Sequence, residues 1–446
     1  MTINKYKEIM AYLKEVIDGS VFAGHVFAVG GCERDKRLKH LIKDIDLVVD
    51  ITNGGIMFAN WLYENNLTVW NPVVYEHFGT AMFTLKKFPD IELETVQTRK
   101  ESYRDIESRN PDTAYGTIME DCTRRDFTVN AFYYDISNDK ELDLNGKSEQ
   151  DLNDRIIRTC GDPEIIFNED PLRILRMVRF ATRLSFEIEE NTFKCAKKYV
   201  DRLSIISRER IHDEFMKMCD ETSYHIACDS FLLLWDLGAF KYIIPYFGEM
   251  SHKEKFNFIN DLREYCADIP NNSKEGLFAK MLFEDPNAEQ ELRDLKCPND
   301  FIDEVMFFIN TNKKFFDEYF GEDEFADSTW LFRKYANICG SQERMQIMLS
   351  CGDELDKSYY FEKYDDYDSY LPCLFDELCS REDVKMFFTY KLPVDGNDVM
   401  AALNIGPSKE VKEALDRLWM FAFVNPQHSD RSNLLNYLVQ VIKNDK

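Results

Sequence analysis

In the segment KDIDLVVD, Asp44 and Asp46 are separated by one residue inside a β-branched run. A strand turns alternate side chains to the same face, so the two carboxylates project together. Paired carboxylates suit hard cations such as Mg²⁺, which take oxygen ligands. Two such ions can activate an attacking 3′-hydroxyl and neutralise a triphosphate leaving group. The same pattern is common at the exposed ends of ordinary strands, so its surroundings must decide.

Gly30 and Gly31 close the apolar run VFAV, and Arg34 follows three residues on. Glycine lets backbone N–H groups approach phosphate oxygens, and an arginine at a helix start supplies charge. The plain alternative is a tight turn. A third carboxylate would complete a two-metal site. IELETVQTR offers Glu92 and Glu94 on one strand face, with Arg99 placed to orient it. Further along, Arg173, Arg176, Arg179 and Arg183 fall within about a 120° arc at 100° per residue. Four arginines without a lysine make a basic stripe whose planar forks match phosphates and base edges, against the alternative of a solvated helix face. Arg208 and Arg210, at the start of the next helix, are expected to brace this region.

These residues need elements to hold them. Residues 1–20 read as a helix, VFAVGG as a strand ending in a turn, ERDKRLKHLI as a helix and DIDLVVD as a strand. ANWLYE reads as helical, and TAMFTLKK and IELETVQT as strands. Residues 100–123 are polar, without periodicity, and read as a mobile loop. FTVNAFYYD and ELDLNG complete a mixed α/β unit around a small sheet. After Gly146 the patterns are almost wholly helical. LPVDGNDVMAALNIGPSKEVKEALDRLWMF reads as a loop and two helices, with Gly406 and Pro407 opening the second.

VGGCERD, KDIDLVV, LETVQTRKESY, RRDFTVNA, NEDPLRILRMVRFATRLSF and ISRERIHDEF follow one another in an order that resembles the successive motifs of class II tRNA CCA-adding enzymes and bacterial poly(A) polymerases. The likeness covers roughly residues 20–220, with a weaker echo in NIGPSKEVKEAL. It implies an α+β chain: a nucleotidyltransferase head over 1–145, a helical neck over 146–220, a helical body over 221–350 and a tRNA-binding helical tail over 351–446. It implies CCA addition to tRNA from CTP and ATP with Mg²⁺; the alternative is a poly(A) polymerase or A-adding enzyme.

Residue by residue, the resemblance makes Asp44 and Asp46 metal ligands and Glu94 the third carboxylate. Gly30, Gly31 and Arg34 would meet the triphosphate, Arg125 the nucleotide, and Asp126 and Asn130 the ribose. Asp170 and Arg173 would present Watson–Crick-like edges to the incoming base, and Arg176 and Arg179 would extend that surface. Two places depart from the family pattern. Cys32-Glu33 stands where a small hydrophobic pair is usual, and Lys-Arg-Leu-Lys replaces the Leu-Leu-Gly after Arg34-Asp35. Both leave the carboxylates untouched and put the turn geometry in question.

Composition limits the other readings. A net charge of −26 argues against a protein that grips nucleic acid everywhere, and no DNA partner is expected. Charge is uneven. Residues 171–217 hold 11 Lys/Arg against 7 Asp/Glu, a net of +4, which suits a confined polyanion site. Residues 351–385 hold 4 against 11, a net of −7, read as a solvated face. No run of about 18 apolar residues predicts a membrane span. Twelve cysteines without CxxC pairs point to reduced thiols in a cytoplasmic protein. His212-Asp213 has no partner histidines at useful spacing, so a phosphohydrolase metal dyad is not expected.

Overall fold

The computed structural model describes residues 1–76, 79–102, 112–219, 224–268, 273–321, 328–352, 388 and 390–442. Most of the acidic segment at 351–385 lies outside these. The chain forms two compact units, Met1–Phe256 with Gln290–Cys297, and Asn257–Glu289 with Pro298–Lys446. Among the described residues no helix is long and apolar enough to cross a membrane. The nine cysteines whose side chains are described are free, and eight of them are buried.

The first unit begins with helix α1 (Ile3–Ile17) and strand β1 (Val26–Val29), followed by α2 (Gly31–Arg37) and β2 (Ile45–Val49). Helix α3 (Gly54–Glu64) leads to β3 (Val73–Tyr75), β4 (Thr80–Thr84) and β5 (Glu92–Gln97). A ribbon, β6 (Arg99–Ser102) with β7 (Asp112–Tyr115), and α4 (Ile118–Arg124) precede β8 (Phe132–Asp135) and β9 (Lys140–Asp143). The seven-stranded sheet has the order β3-β4-β5-β2-β1-β8-β9, with β2 and β5 parallel.

Strand alternation decides where chemistry can sit. Ile45, Leu47 and Val49 of β2, Val26 and Ala28 of β1 and Leu93 of β5 turn toward α1 and α3. There they join Ile9, Leu13, Phe58 and Leu62 in a solvent-free core. Burying each such aliphatic side chain contributes about 1.5–3 kcal/mol. The opposite face carries Phe27, Val29 and Val48 in a smaller cluster with Cys122 and Tyr133. Asp46 shares that second face by its place between Leu47 and Ile45. Close packing fixes β5. A Cβ on Gly55 would stand 2.6 Å from the Val96 Cα, so α3 can press onto β5 only with glycine at that position.

The expected loop at 100–123 is corrected in part. Arg99–Ser102 pairs antiparallel with Asp112–Tyr115, and Ile118–Arg124 is helical, capped by a reciprocal Thr117–Glu120 box. Residues 103–111 lie outside the described residues. The ribbon escapes detection because RKES and DTAY carry no alternation of apolar and polar residues.

Helices then dominate: α5 (Ser148–Asp154), α6 (Pro163–Glu169), α7 (Leu172–Leu184), α8 (Glu190–Tyr199), α9 (Arg208–Met218) and α10 (Tyr224–Leu237), with a two-residue pair β10/β11 at Ile156–Ile157 and Glu187–Ile188. The fold is α+β, as the sequence leads one to expect. In the second unit, α11 (Lys274–Met281) packs on α12 (Asn299–Gly321), beside α13 (Ser328–Cys339) and α14 (Gln342–Ser350). Its last helices, α15 (Gly396–Leu403), α16 (Lys409–Val424) and α17 (Arg431–Tyr437), close around Val399, Val411, Leu418 and Leu434.

Candidate active site

Asp44 is exposed just before β2, and Asp46 lies half-buried one pleat further on. The parallel register sets Asp46 beside Glu94 of β5. Burial, then the neighbouring Glu94 charge, push the Asp46 carboxyl up to about 6, with Arg125 opposing and Asp44 adding. Glu94 is also raised, by desolvation first; Arg99 pulls it back, while Asp44 and Glu92 push it up. The strand face therefore collects negative charge that the protein itself does not fully balance. The sequence left Glu92 and Glu94 on one face; the register shows Glu94 as the one abreast of Asp46, with Glu92 displaced toward the strand start.

Gly30 brings the next parts to the same place. It follows β1 with φ +79° and caps α2 without a side-chain hydrogen bond. A Cβ there would lie 3.6 Å from Arg125 Nη1 and 3.7 Å from Asp46 Oδ2. Glycine supplies the left-handed φ, and its bare backbone is flanked by one cation and one carboxylate. A Cβ on Gly31 would lie 3.6 Å from Arg34 Nη2, so the second arginine borders the same turn.

Both arginines are held by their own supports. Arg125 Nε donates to the Tyr133 hydroxyl at 2.8 Å, and Nη2 to Asp121 Oδ2 at 3.0 Å. Asp121 is solvent-free and also takes Arg124 Nη2 at 2.6 Å and the Tyr133 hydroxyl at 2.7 Å. Burial alone would raise the Asp121 carboxyl, but Arg125 and Arg124 hold it well below the usual carboxylate range. Arg34 donates from Nε to Asp35 at 2.8 Å and from Nη1 to Asn130 Oδ1 at 2.5 Å. Asp121 was not singled out from sequence; a carboxylate at i−4 from Arg125 on a helix was the available signal.

From Asn130 the polar contacts run into the neck. Asn130 Nδ2 donates to Asp126 Oδ1 at 3.3 Å. Arg176 Nε and Nη2 reach Asp126 Oδ2 at 2.9 and 2.5 Å. Arg179 Nε donates to Glu214 Oε2 at 2.7 Å. Burial would raise Asp126, but Arg176 brings it down to about 2; Glu214 is likewise held low, by Arg179 and Arg176.

The four arginines of the stripe are unequally placed. Arg173 and Arg179 are buried, Arg176 is half-buried and Arg183 alone is exposed. Helical spacing shows which residues share a face, not that this face meets carboxylates of the same chain. Arg179 packs against Glu214 rather than facing an open groove, and both Asp126 oxygens are engaged by the protein. Asp170 caps the end of α6 and is met by Arg210 Nη2 at 3.0 Å. Arg208 donates to the carbonyls of Tyr242, Ile243 and Asp294, the bracing role expected of it. Glu214 and the Asp170–Arg210 pair were missed as partners because they meet across 35–40 residues of chain.

Among the described residues no group of three or more His, Cys, Asp or Glu side chains is placed to hold a metal ion. Oxygen donors with raised affinity for protons still fit a hard cation. Mg²⁺ is usually held by one or two carboxylates together with water and substrate phosphates, not by an all-protein cage. Asp44 and Asp46 offer two carboxylates one pleat apart.

Residues 26–158 match the Poly A polymerase head domain, and residues 185–250 match the model described as "Probable RNA and SrmB- binding site of polymerase A". The tRNA nucleotidyltransferase cca2 of Schizosaccharomyces pombe is 25% identical over 484 residues, spanning 95% of this chain and 95% of its own length. The CCA-adding enzyme of Staphylococcus epidermidis is 32% identical over 230 residues, and the match spans 53% of its length. The fold is that of the Thermotoga maritima CCA-adding enzyme in its complex with tRNA, with a TM-score of 0.68 over 98% of this chain and 96% of that one at 19% identity.

Proposed function

We propose that this chain belongs with the CCA-adding enzymes and poly(A) polymerases it resembles and adds CCA to tRNA 3′ ends from CTP and ATP. The observation that carries the reading is the convergence at Gly30 of Arg125 and Asp46, with Glu94 abreast of Asp46. One backbone turn thus borders both a cation suited to phosphate and a carboxylate face suited to metal.

In this reading Asp44 and Asp46 hold Mg²⁺, and Glu94 completes the acidic face. Mg²⁺ bound there would neutralise triphosphate charge and favour loss of the 3′-hydroxyl proton. Gly30, Gly31 and Arg34 receive the triphosphate, and Arg125 contacts the nucleotide where Asp121 and Tyr133 aim it. The RNA 3′-hydroxyl attacks the α-phosphate and pyrophosphate leaves. Asp170 and Arg173 face the base, so that protein and not template selects it. Asp126 and Asn130 act beside the ribose while linking Arg34 to Arg176, and Arg176 and Arg179 stabilise the selecting helix. Residues 351–446 serve as the tRNA-binding tail, and the enzyme works in the cytoplasm.

The test is direct. The protein is incubated with tRNA lacking CCA, Mg²⁺, and CTP and ATP separately and together. Growth by C, C and A that then stops is the expected result. Long A tails without use of CTP would replace the reading with a poly(A) polymerase or A-adding enzyme.

A further inference from the structure

The two departures from the family pattern touch each other. Glu33 and Arg37 stand one helical turn apart on α2, and Arg37 Nη1 donates to Glu33 Oε2 at 2.7 Å. Glu33 is solvent-free. Its other oxygen accepts from the Tyr6 hydroxyl of α1 at 2.5 Å, and Lys36 Nζ stands 2.7 Å from Oε2. Arg37 Nη2 and Lys36 Nζ continue to Glu141 of β9, each at 2.8 Å, and the Arg37 guanidinium lies over the Phe132 ring at 4.1 Å. Tyr6 is itself buried in the core under α1. Burial, then Cys32 and Glu33, push its phenol far above the ordinary value, so it remains a donor.

The position of α2 needs such support. It has seven residues, too few to persist alone, and its glycine cap makes no side-chain bond. At 100° per residue, Glu33, Lys36 and Arg37 fall within about 100° of one another, while Gly31 lies nearly opposite and Arg34 about 60° beyond Arg37 toward it. One side of the helix is thus tied to α1 and β9, and the other carries the turn and the arginine beside Asp46 and Arg125. An apolar pair could fill the same space, but it would not fix rotation of α2 about its axis as directional, charge-assisted bonds do.

We infer that Tyr6, Glu33 and Arg37 are positioning residues for triphosphate binding, a buried ionic brace that sets the rotation of α2 and hence the placement of Gly31 and Arg34. The inference rests on the reading above that Gly31 and Arg34 receive the triphosphate.

The test measures CTP and ATP binding by calorimetry and KM and kcat for addition, with melting temperature recorded alongside. Glu33→Gln and Tyr6→Phe are compared with the native chain; the second keeps the core ring and removes only the hydroxyl. Both should raise Kd and KM for nucleotide about tenfold, the size of one compromised charge-assisted hydrogen bond, with kcat within about twofold. The double variant Glu33→Val/Arg37→Leu should recover thermal stability but not nucleotide affinity. A lower melting temperature in Tyr6→Phe with unchanged Kd and KM would make the brace merely structural and overturn the inference. So would a double variant that binds nucleotide as tightly as the native chain. Failure of the functional reading would show instead in the native protein, as absence of nucleotide addition.

Discussion

The strand face of the head and the arginine helix of the neck handle charge in opposite ways. Asp44, Asp46 and Glu94 stand together with mutual repulsion, and burial and Glu94 push the Asp46 carboxyl up to about 6. In the neck, Arg176 has Asp126, Arg179 has Glu214, and both carboxylates are held low. Matched buried ions are a positioning device, because neither partner is released to a ligand without cost. Unmatched carboxylates are a binding device, because a cation relieves a repulsion the fold already carries. Charged residues therefore sort by whether the protein neutralises them, not by how many there are.

The largest effect should come from the unmatched side. Asp44→Ala or Asp46→Ala should lower kcat for nucleotide addition at least about a thousandfold, since metal charge stabilisation is worth several kcal/mol. Melting temperature should stay level or rise, because a repelling charge has been removed. A folded Asp46→Ala enzyme with near-native turnover would break the comparison at its first term.

The matched side should respond in stability. Asp121→Asn strands Arg124 and Arg125 with one carboxylate fewer, and Glu214→Gln does the same to Arg179. Breaking a buried pair by removing one partner costs about 3–5 kcal/mol, readable as a lower denaturation midpoint. Asp121→Asn should also weaken nucleotide binding through Arg125, whereas Glu214→Gln should act mainly on stability. Equal stability losses for Asp46→Ala and Glu214→Gln would erase the distinction.

A smaller effect concerns base choice. Arg173→Ala should change the ratio of kcat/KM for CTP and ATP by about tenfold, within the 1–3 kcal/mol that a paired polar contact to a base discriminates. Equal loss for all four nucleotides would move Arg173 from selection to general support.

Much of this was readable before any coordinates. Strand period two places Asp44 and Asp46 on one face, and Gly30-Gly31 before Arg34 marks a turn with positive charge. What could not be read was partnership. The carboxylates that occupy Arg176 and Arg179 lie 50 and 35 residues away, and nothing local points to them. Helical periodicity groups the arginines on one side of the helix but does not show which carboxylates of the chain meet them. Glu33 was legible only as a departure, since its partner Tyr6 sits 27 residues earlier on another helix. The β6–β7 ribbon was missed for a different reason: RKES and DTAY lack the alternating apolar residues by which a strand is recognised.

The finest test is the pH dependence of stability in the metal-free protein, where the two regions should pull in opposite directions. Asp121, Asp126 and Glu214 have folded values below those of the unfolded chain. Their contribution is fully present above about pH 4 and is lost as pH falls from there toward about 2. Asp46 has a folded value raised to about 6. Its contribution is fully present below the unfolded value near 4 and is lost as pH rises through about 6. Melting temperature should therefore rise as pH is lowered from 8 to 5, by the equivalent of about 1 kcal/mol after discounting for the partial exposure of Asp46, and then fall below pH 4. Asp46→Asn should remove most of the first limb, leaving the part that the raised Glu94 carboxyl carries, and leave the second limb intact; saturating Mg²⁺ should flatten the first limb in the native chain. If the upper limb persists unchanged in Asp46→Asn, the repulsion does not reside at this strand face, and the contrast between a face left unbalanced for a cation and a helix balanced from within fails.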